Sequence, residues 1–203
     1  MASGWTAKLA GFWARNRRLV RAFVAGGAAA GVLAGVGGLA IVEFGLYDIA
    51  AAQQHNEIVS WALHKTFQQS VRLRAGSGLS ARFTEAQVVS GFKQYQDDCM
   101  MCHGGPGVAR ADWVKGLEPT PPFLLEAGER WTPAQLTYIL EKGIKMSAMP
   151  SWGATRSTEQ VHDIVAFIVA LPGISPARFA RMQRQFPPAT LSGGPPVESK
   201  QTH

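Results

Sequence analysis

The chain has 203 residues, of which 20 are Lys or Arg, 14 are Asp or Glu and two are Cys. That length holds one modest domain of roughly 100–150 residues with attachments, and excludes a large multidomain enzyme. The basic excess is local: Lys8, Arg15, Arg17, Arg18 and Arg21 all precede the first acid, whereas residues 83–175 carry seven basic against ten acidic side chains, without the basic stripe of a nucleic-acid binder.

The uncharged run Ala22–Val42 follows the basic segment and is 21 residues long. As a helix it reaches about 31 Å, enough to cross roughly 30 Å of hydrocarbon. Five cations before it, with Glu43 and Asp48 after it, predict a cytoplasmic N-terminus and an exported remainder. A cleaved signal peptide is the competing reading; its apolar region is ordinarily about 7–15 residues, and the small residues Ala50, Ala51 and Ala52 lie well past the end of this run. Gly27, Gly31 and Gly35 recur at intervals of four, a stripe that fits a membrane-helix partner or a dimer, or only the ordinary composition of such helices.

Residues 44–75 carry Ile58, Trp61, Ala62, Phe67 and Val71 at mixed spacings of three, four and five. This predicts an amphipathic helix, lying on the membrane surface, packing on a neighbour or simply connecting. The stretch GSGLS at 76–80 reads as a hinge. Beyond it, helix signals are legible. Thr84 caps a helix with Val88, Phe92 and Tyr95 on its apolar face; Thr132 caps another, with Pro133 first and Gly143 after its end; Ser157 or Thr158 opens a third, with Val161, Ile164, Val165 and Ile168 as its stripe and Leu171-Pro172 as its stop. No strand pattern appears. The predicted organisation is a cytoplasmic basic segment (1–21), a transmembrane anchor (22–42), an amphipathic connector with hinge (43–82), an all-α domain (83–175) and a partly disordered C-terminal tail (176–203), disordered from about Pro187. Three short helices and Gly/Pro-rich loops make a thin core, so another group is expected to fill the middle.

Both cysteines lie in QDDCMMCHGG, residues 96–105. C-x-x-C-H is the attachment signature of c-type haem. Cys99 and Cys102, three apart around a turn, present two sulfurs to the haem vinyl groups, and the adjacent His103 reaches the iron. Met100 and Met101 are spacers. Three other readings have less behind them. A disulfide between cysteines three apart is geometrically awkward, a thioredoxin-like pair expects a βαβ setting, and zinc needs four ligands where the chain offers two thiolates and scattered histidines.

The segments GFKQYQDDCMMCHGGPG, GLEPTPPFL, GIKMSAMPSWG and VHDIVAFIVALP, in that order over residues 84–172, resemble the class I monohaem cytochromes c of the membrane-anchored bacterial type. The resemblance implies an all-α fold of three to five short helices around one covalent haem c, and hence an iron site. Gly91, Phe92 and Tyr95 match the family's N-terminal helix, which crosses the helix carrying Ala166 and Phe167. Pro122-Phe123-Leu124 matches its Pro-x-Leu segment, whose carbonyl, near Pro121 or Pro122, takes the Nδ1 proton of His103. Met149, ahead of Pro150, matches the distal ligand, with Met146 as local rival. Trp152 and Tyr138 are expected at the haem propionates or walls, or in the plain core, and His55, His64 and His162 as surface histidines. The implied function is transfer of single electrons between redox partners, such as a donor dehydrogenase or quinol-oxidising complex and an acceptor oxidase or soluble cytochrome, without substrate chemistry of its own. The alternatives are a fixed haem c subunit of a membrane oxidoreductase and a gas-binding or peroxidatic haem protein.

Overall fold

The computed structural model describes residues 16–76 and 82–188, and the chain divides into two compact units, residues 1–53 and 54–203. In the first, helix α1 (Arg17–Glu43) has every described side chain away from a protein core. It is long and apolar enough to cross a membrane. Its end follows from Gly45, whose φ of +59° suits the left-handed cap, with Leu46 N–H donating back to the Ile41 carbonyl at 3.0 Å. A Cβ added at Gly27, Gly31 or Gly35 meets nothing within 4 Å.

The second unit is helical throughout, with one isolated backbone bridge, Gly105 to Val108, and no strand among the described residues. Its elements are α2 (Glu57–Arg74), α3 (Glu85–Asp98), α4 (Met100–His103), α5 (Ala127–Arg130), α6 (Pro133–Lys142), α7 (Thr158–Ala170) and α8 (Pro176–Gln185). Helices α3, α6 and α7 each begin with the same device: Thr84, Thr132 and Ser157 accept from the backbone of Gln87, Gln135 and Gln160, whose side chains bond back to the cap backbone. Each reciprocal pair satisfies two backbone donors that a helix start otherwise leaves open.

The core forms where α3 crosses α7. Val88, Phe92 and Tyr95 of α3 meet Val161, Ile164, Val165, Phe167 and Ile168 of α7, all buried. The crossing is close because Gly91 has no side chain: a Cβ there would lie 1.8 Å from the carbonyl oxygen of Asp163. Phe167 stacks edge-on against Phe92 at 5.5 Å and, tilted, against Tyr95 at 4.9 Å, arrangements that suit the ring quadrupole.

Two elements extend this core. α2 buries Val71 and sets Phe67 edge-on to Trp131 at 5.5 Å, so the segment read as a connector packs on the domain. Within the segment read as a tail, α8 buries Phe179 and Met182, with Phe179 edge-on to Phe92 at 5.5 Å. Arg178 pairs with Glu85 at 2.8 Å and Gln96 Nε2 donates to the Phe186 carbonyl at 2.8 Å, tying α8 along α3. Residues 77–80 of the GSGLS hinge and the chain end after Pro188 lie outside the described residues.

Candidate haem site

The turn α4 and its N-cap residue Cys99 carry both thiols and the histidine, and three contacts fix this segment. Tyr95 donates its hydroxyl proton to the Gly104 carbonyl at 2.7 Å, inside the core, where burial and then Cys99 push the phenol's pKa up. Phe179 lies against Gly105, where a Cβ would come within 2.5 Å of the ring. Gln183 Nε2 reaches the Met100 sulfur at 3.5 Å. Gly104 itself has φ +65°, and a Cβ there would lie 2.8 Å from the Val108 carbonyl and 2.9 Å from the Phe123 ring, so this position takes only glycine.

Cys99 and Cys102 are both free thiols. Cys99 is only 4% exposed. Burial first, then the Asp98 carboxylate, pushes its pKa up to about 12, with Arg156 acting in the opposite direction. It is therefore a thiol at neutral pH. Arg156, whose Nη2 stands 2.7 Å from Oδ1 and 2.6 Å from Oδ2 of Asp98, ties the end of α3 to the loop before α7.

His103 Nδ1 lies 2.7 Å from the Pro122 carbonyl. A carbonyl has no proton to give, so Nδ1 donates, and Nε2 is left with the lone pair. Burial lowers the imidazole's pKa, the Pro122 bond raises it and the Arg110 cation lowers it, for a net downward shift. The ring is thus neutral at pH 7, the form that binds a metal.

Met149 closes a tight loop behind α6. Gly143, at φ +65°, brings the helix end so close to the loop that a Cβ there would lie 2.6 Å from the Pro150 carbonyl carbon. Ile144 N–H donates to the Met149 carbonyl at 3.1 Å; Ser147 Oγ donates to the Ile144 carbonyl at 2.7 Å and accepts from Met149 N–H at 3.2 Å. The loop turns Met149 against the core, whereas Met146, at φ +60°, is 79% exposed. Trp152 packs against the core, and its Nε1 is buried with no hydrogen-bond partner among the described residues; the same holds for Nε of Arg156. Tyr138 is half-buried on α6. Among the other histidines, His64 bonds Gln68 on α2 and His162 lies half-buried on α7.

These residues fit a haem. Two unpaired thiols sit in one turn beside a neutral imidazole with Nε2 available, and Trp152 presents a buried donor that needs an acceptor such as a propionate. Sequence reasoning missed the contribution of α8, although Ser175 before Pro176 and the spacing Phe179, Met182, Phe186 are a cap, a first-turn proline and an apolar stripe. It also passed over Arg110, which donates to the Pro121 carbonyl.

Residues 86–168 match the family model described as cytochrome c oxidase, cbb3-type, subunit III. Neither the curated proteins nor the solved structures contain a match. The helical fold and the matched segment define a class I c-type cytochrome domain. It is an electron-transfer domain that carries covalently bound haem c with its iron.

Proposed function

We propose that this chain is a membrane-anchored cytochrome c that passes single electrons between membrane-associated redox partners on the periplasmic side. In this reading Cys99 and Cys102 form the thioether links, His103 is the proximal ligand through Nε2, and Met149 is the distal ligand. The observation that carries it is the 2.7 Å bond from His103 Nδ1 to the Pro122 carbonyl, in the turn that also holds both thiols. It orients the ring, excludes the other tautomer and raises the basicity of Nε2. The bound haem supplies an iron that gains and loses one electron. The chain's part is to keep its two ligands in place through the cycle, so that little reorganises, and to favour Fe(II) through the soft, neutral thioether of Met149, which places the potential above that of a bis-histidine site.

Helix α1 supports anchoring by its length and composition. A tether keeps the domain near membrane-bound partners and raises their effective concentration. The description of the matched family favours a second reading, in which the domain is a fixed haem subunit of a membrane oxidase complex.

The test is a visible spectrum before and after acid-acetone extraction of the protein made in a host that attaches haem c. Colour that stays with the polypeptide supports the reading, and colour that leaves with the solvent overturns it. Detergent-solubilised protein running alone on a native gel favours the shuttle; co-purification with a catalytic subunit favours the complex.

A further inference from the structure

The acceptor for His103 does not hold itself in place. Pro122 lies in a loop without regular structure, and the residues on either side of it are both held by one side chain. Arg110 Nη1 donates to the Pro121 carbonyl. Its guanidinium carbon stands 4.2 Å from the centroid of the Phe123 ring. Between these contacts, the Pro122 carbonyl takes the Nδ1 proton of His103 at 2.7 Å. The clamp closes on the other side at Gly104, next to His103, against which the Phe123 ring is packed.

Arginine suits this position. A planar guanidinium donates in its own plane and offers its face to an aromatic ring at the same time; a lysine ammonium can satisfy one of the two contacts but not both in this geometry. Because Pro121 and Pro122 have no N–H, those residues have no backbone donors with which to fix the loop.

We propose that Arg110 is a positioning residue for the proximal imidazole: by gripping Pro121 and Phe123 it holds the Pro122 carbonyl on His103 Nδ1, and so sets how strongly Nε2 donates to the iron. This rests on His103 being the axial ligand.

Position and charge act on the iron in opposite directions. A firm Nδ1–H···O bond makes the imidazole a better donor and favours Fe(III), lowering the potential. A nearby cation disfavours the extra positive charge of Fe(III), raising it. Arg110→Lys keeps the cation and loses the grip, so its potential lies above the parent's. Arg110→Met loses both, so its potential lies below that of Arg110→Lys.

The experiment compares the full holoprotein with these two variants. It measures the potential, and in the reduced form follows exchange of the His103 Nδ1 proton by NMR on histidine-labelled protein, alongside the backbone amides of α3 and α7. Expected are Nδ1–H exchange about tenfold faster in both variants, amides of α3 and α7 unchanged, and the stated order of potentials. Nδ1–H exchange within about twofold of the parent, or a potential of Arg110→Lys equal to the parent's, overturns the inference, the latter leaving charge alone as the effect of Arg110. Acceleration of the core amides by the same factor also overturns it, since the residue then only stabilises the fold. If the parent shows no haem-shifted His103 ring resonance, the ligation reading fails, and this inference with it.

Discussion

Gly91→Ala tests the seam on which the domain is built. The added Cβ lies 1.8 Å from the Asp163 carbonyl oxygen, 2.4 Å from its carbon and 3.0 Å from the Ile164 nitrogen. Ordinary contact begins near 3.4 Å, so α7 must retreat by about 1.6 Å, and because the obstacle is helix backbone no side-chain rotation relieves it. A gap of even 0.5–1 Å forfeits roughly a quarter to a half of the dispersion energy of the atoms that line it. Here those atoms belong to the fully buried Phe92, Tyr95, Ile164 and Phe167. Overpacking of this kind costs about 1–3 kcal/mol, more against rigid backbone, and the better helix propensity of Ala returns about 1 kcal/mol. With the overpacking cost at the upper end, about 3 kcal/mol, the expected net loss is about 2 kcal/mol, or roughly 8–16 °C in melting temperature. Thermal melts of the purified holoprotein, followed by far-ultraviolet circular dichroism and by the haem absorption band, measure it. Gly173→Ala, where nothing lies within 4 Å, is the control and shifts the midpoint by less than about 2 °C. A Gly91→Ala protein that melts within about 2 °C of the parent refutes the close-crossing argument.

Met149→Ala is expected to lower the potential and open the reduced iron to carbon monoxide, whereas Met146→Ala, at an exposed side chain, leaves the visible spectrum nearly unchanged; the reverse pattern transfers the ligand role. Phe179→Ala removes a fully buried ring that touches Phe92 and is expected to cost about 3–5 kcal/mol, read from denaturant midpoints; a loss under about 1 kcal/mol detaches α8 from the core. In the haem-free protein the pKa of His103 is held below its ordinary value of 6.5 chiefly by burial, so from 6.5 down to its folded value the unfolded chain binds more protons than the folded one. That contribution to stability is complete above about pH 6.5 and is lost as the pH falls from there, so the denaturant midpoint is expected to decline below about pH 6.5. A midpoint that rises on acidification to about pH 5 contradicts this sign.

Much of this was legible because the signals were local. Thr84, Thr132 and the pair Ser157-Thr158 mark helix starts, to which the structure adds the Gln partners and the choice of Ser157, and C-x-x-C-H places two thiols and an imidazole in one turn wherever it folds. The Nδ1 acceptor was anticipated near Pro121 or Pro122 from family resemblance, and it is Pro122. What escaped depends on distance along the chain. The burial of Phe179 is set by Phe92 and Gly105, more than 70 residues away, and α2 shows only an ordinary amphipathic pattern until Phe67 meets Trp131. Arg110 passes for a solvated loop cation in the sequence. Its two partners follow a turn whose path no periodicity encodes.

The position of α8 also orders events during biosynthesis. Gly105, Met100 and Phe92 receive their cover from residues 176–186, so the thiol-bearing turn has been made long before its lid. At roughly 5–20 residues per second, the intervening 80 or so residues take on the order of 4–16 s. During that interval the turn lacks the contacts at Met100 and Gly105 that the last helix supplies, and the arrival of that helix completes its support.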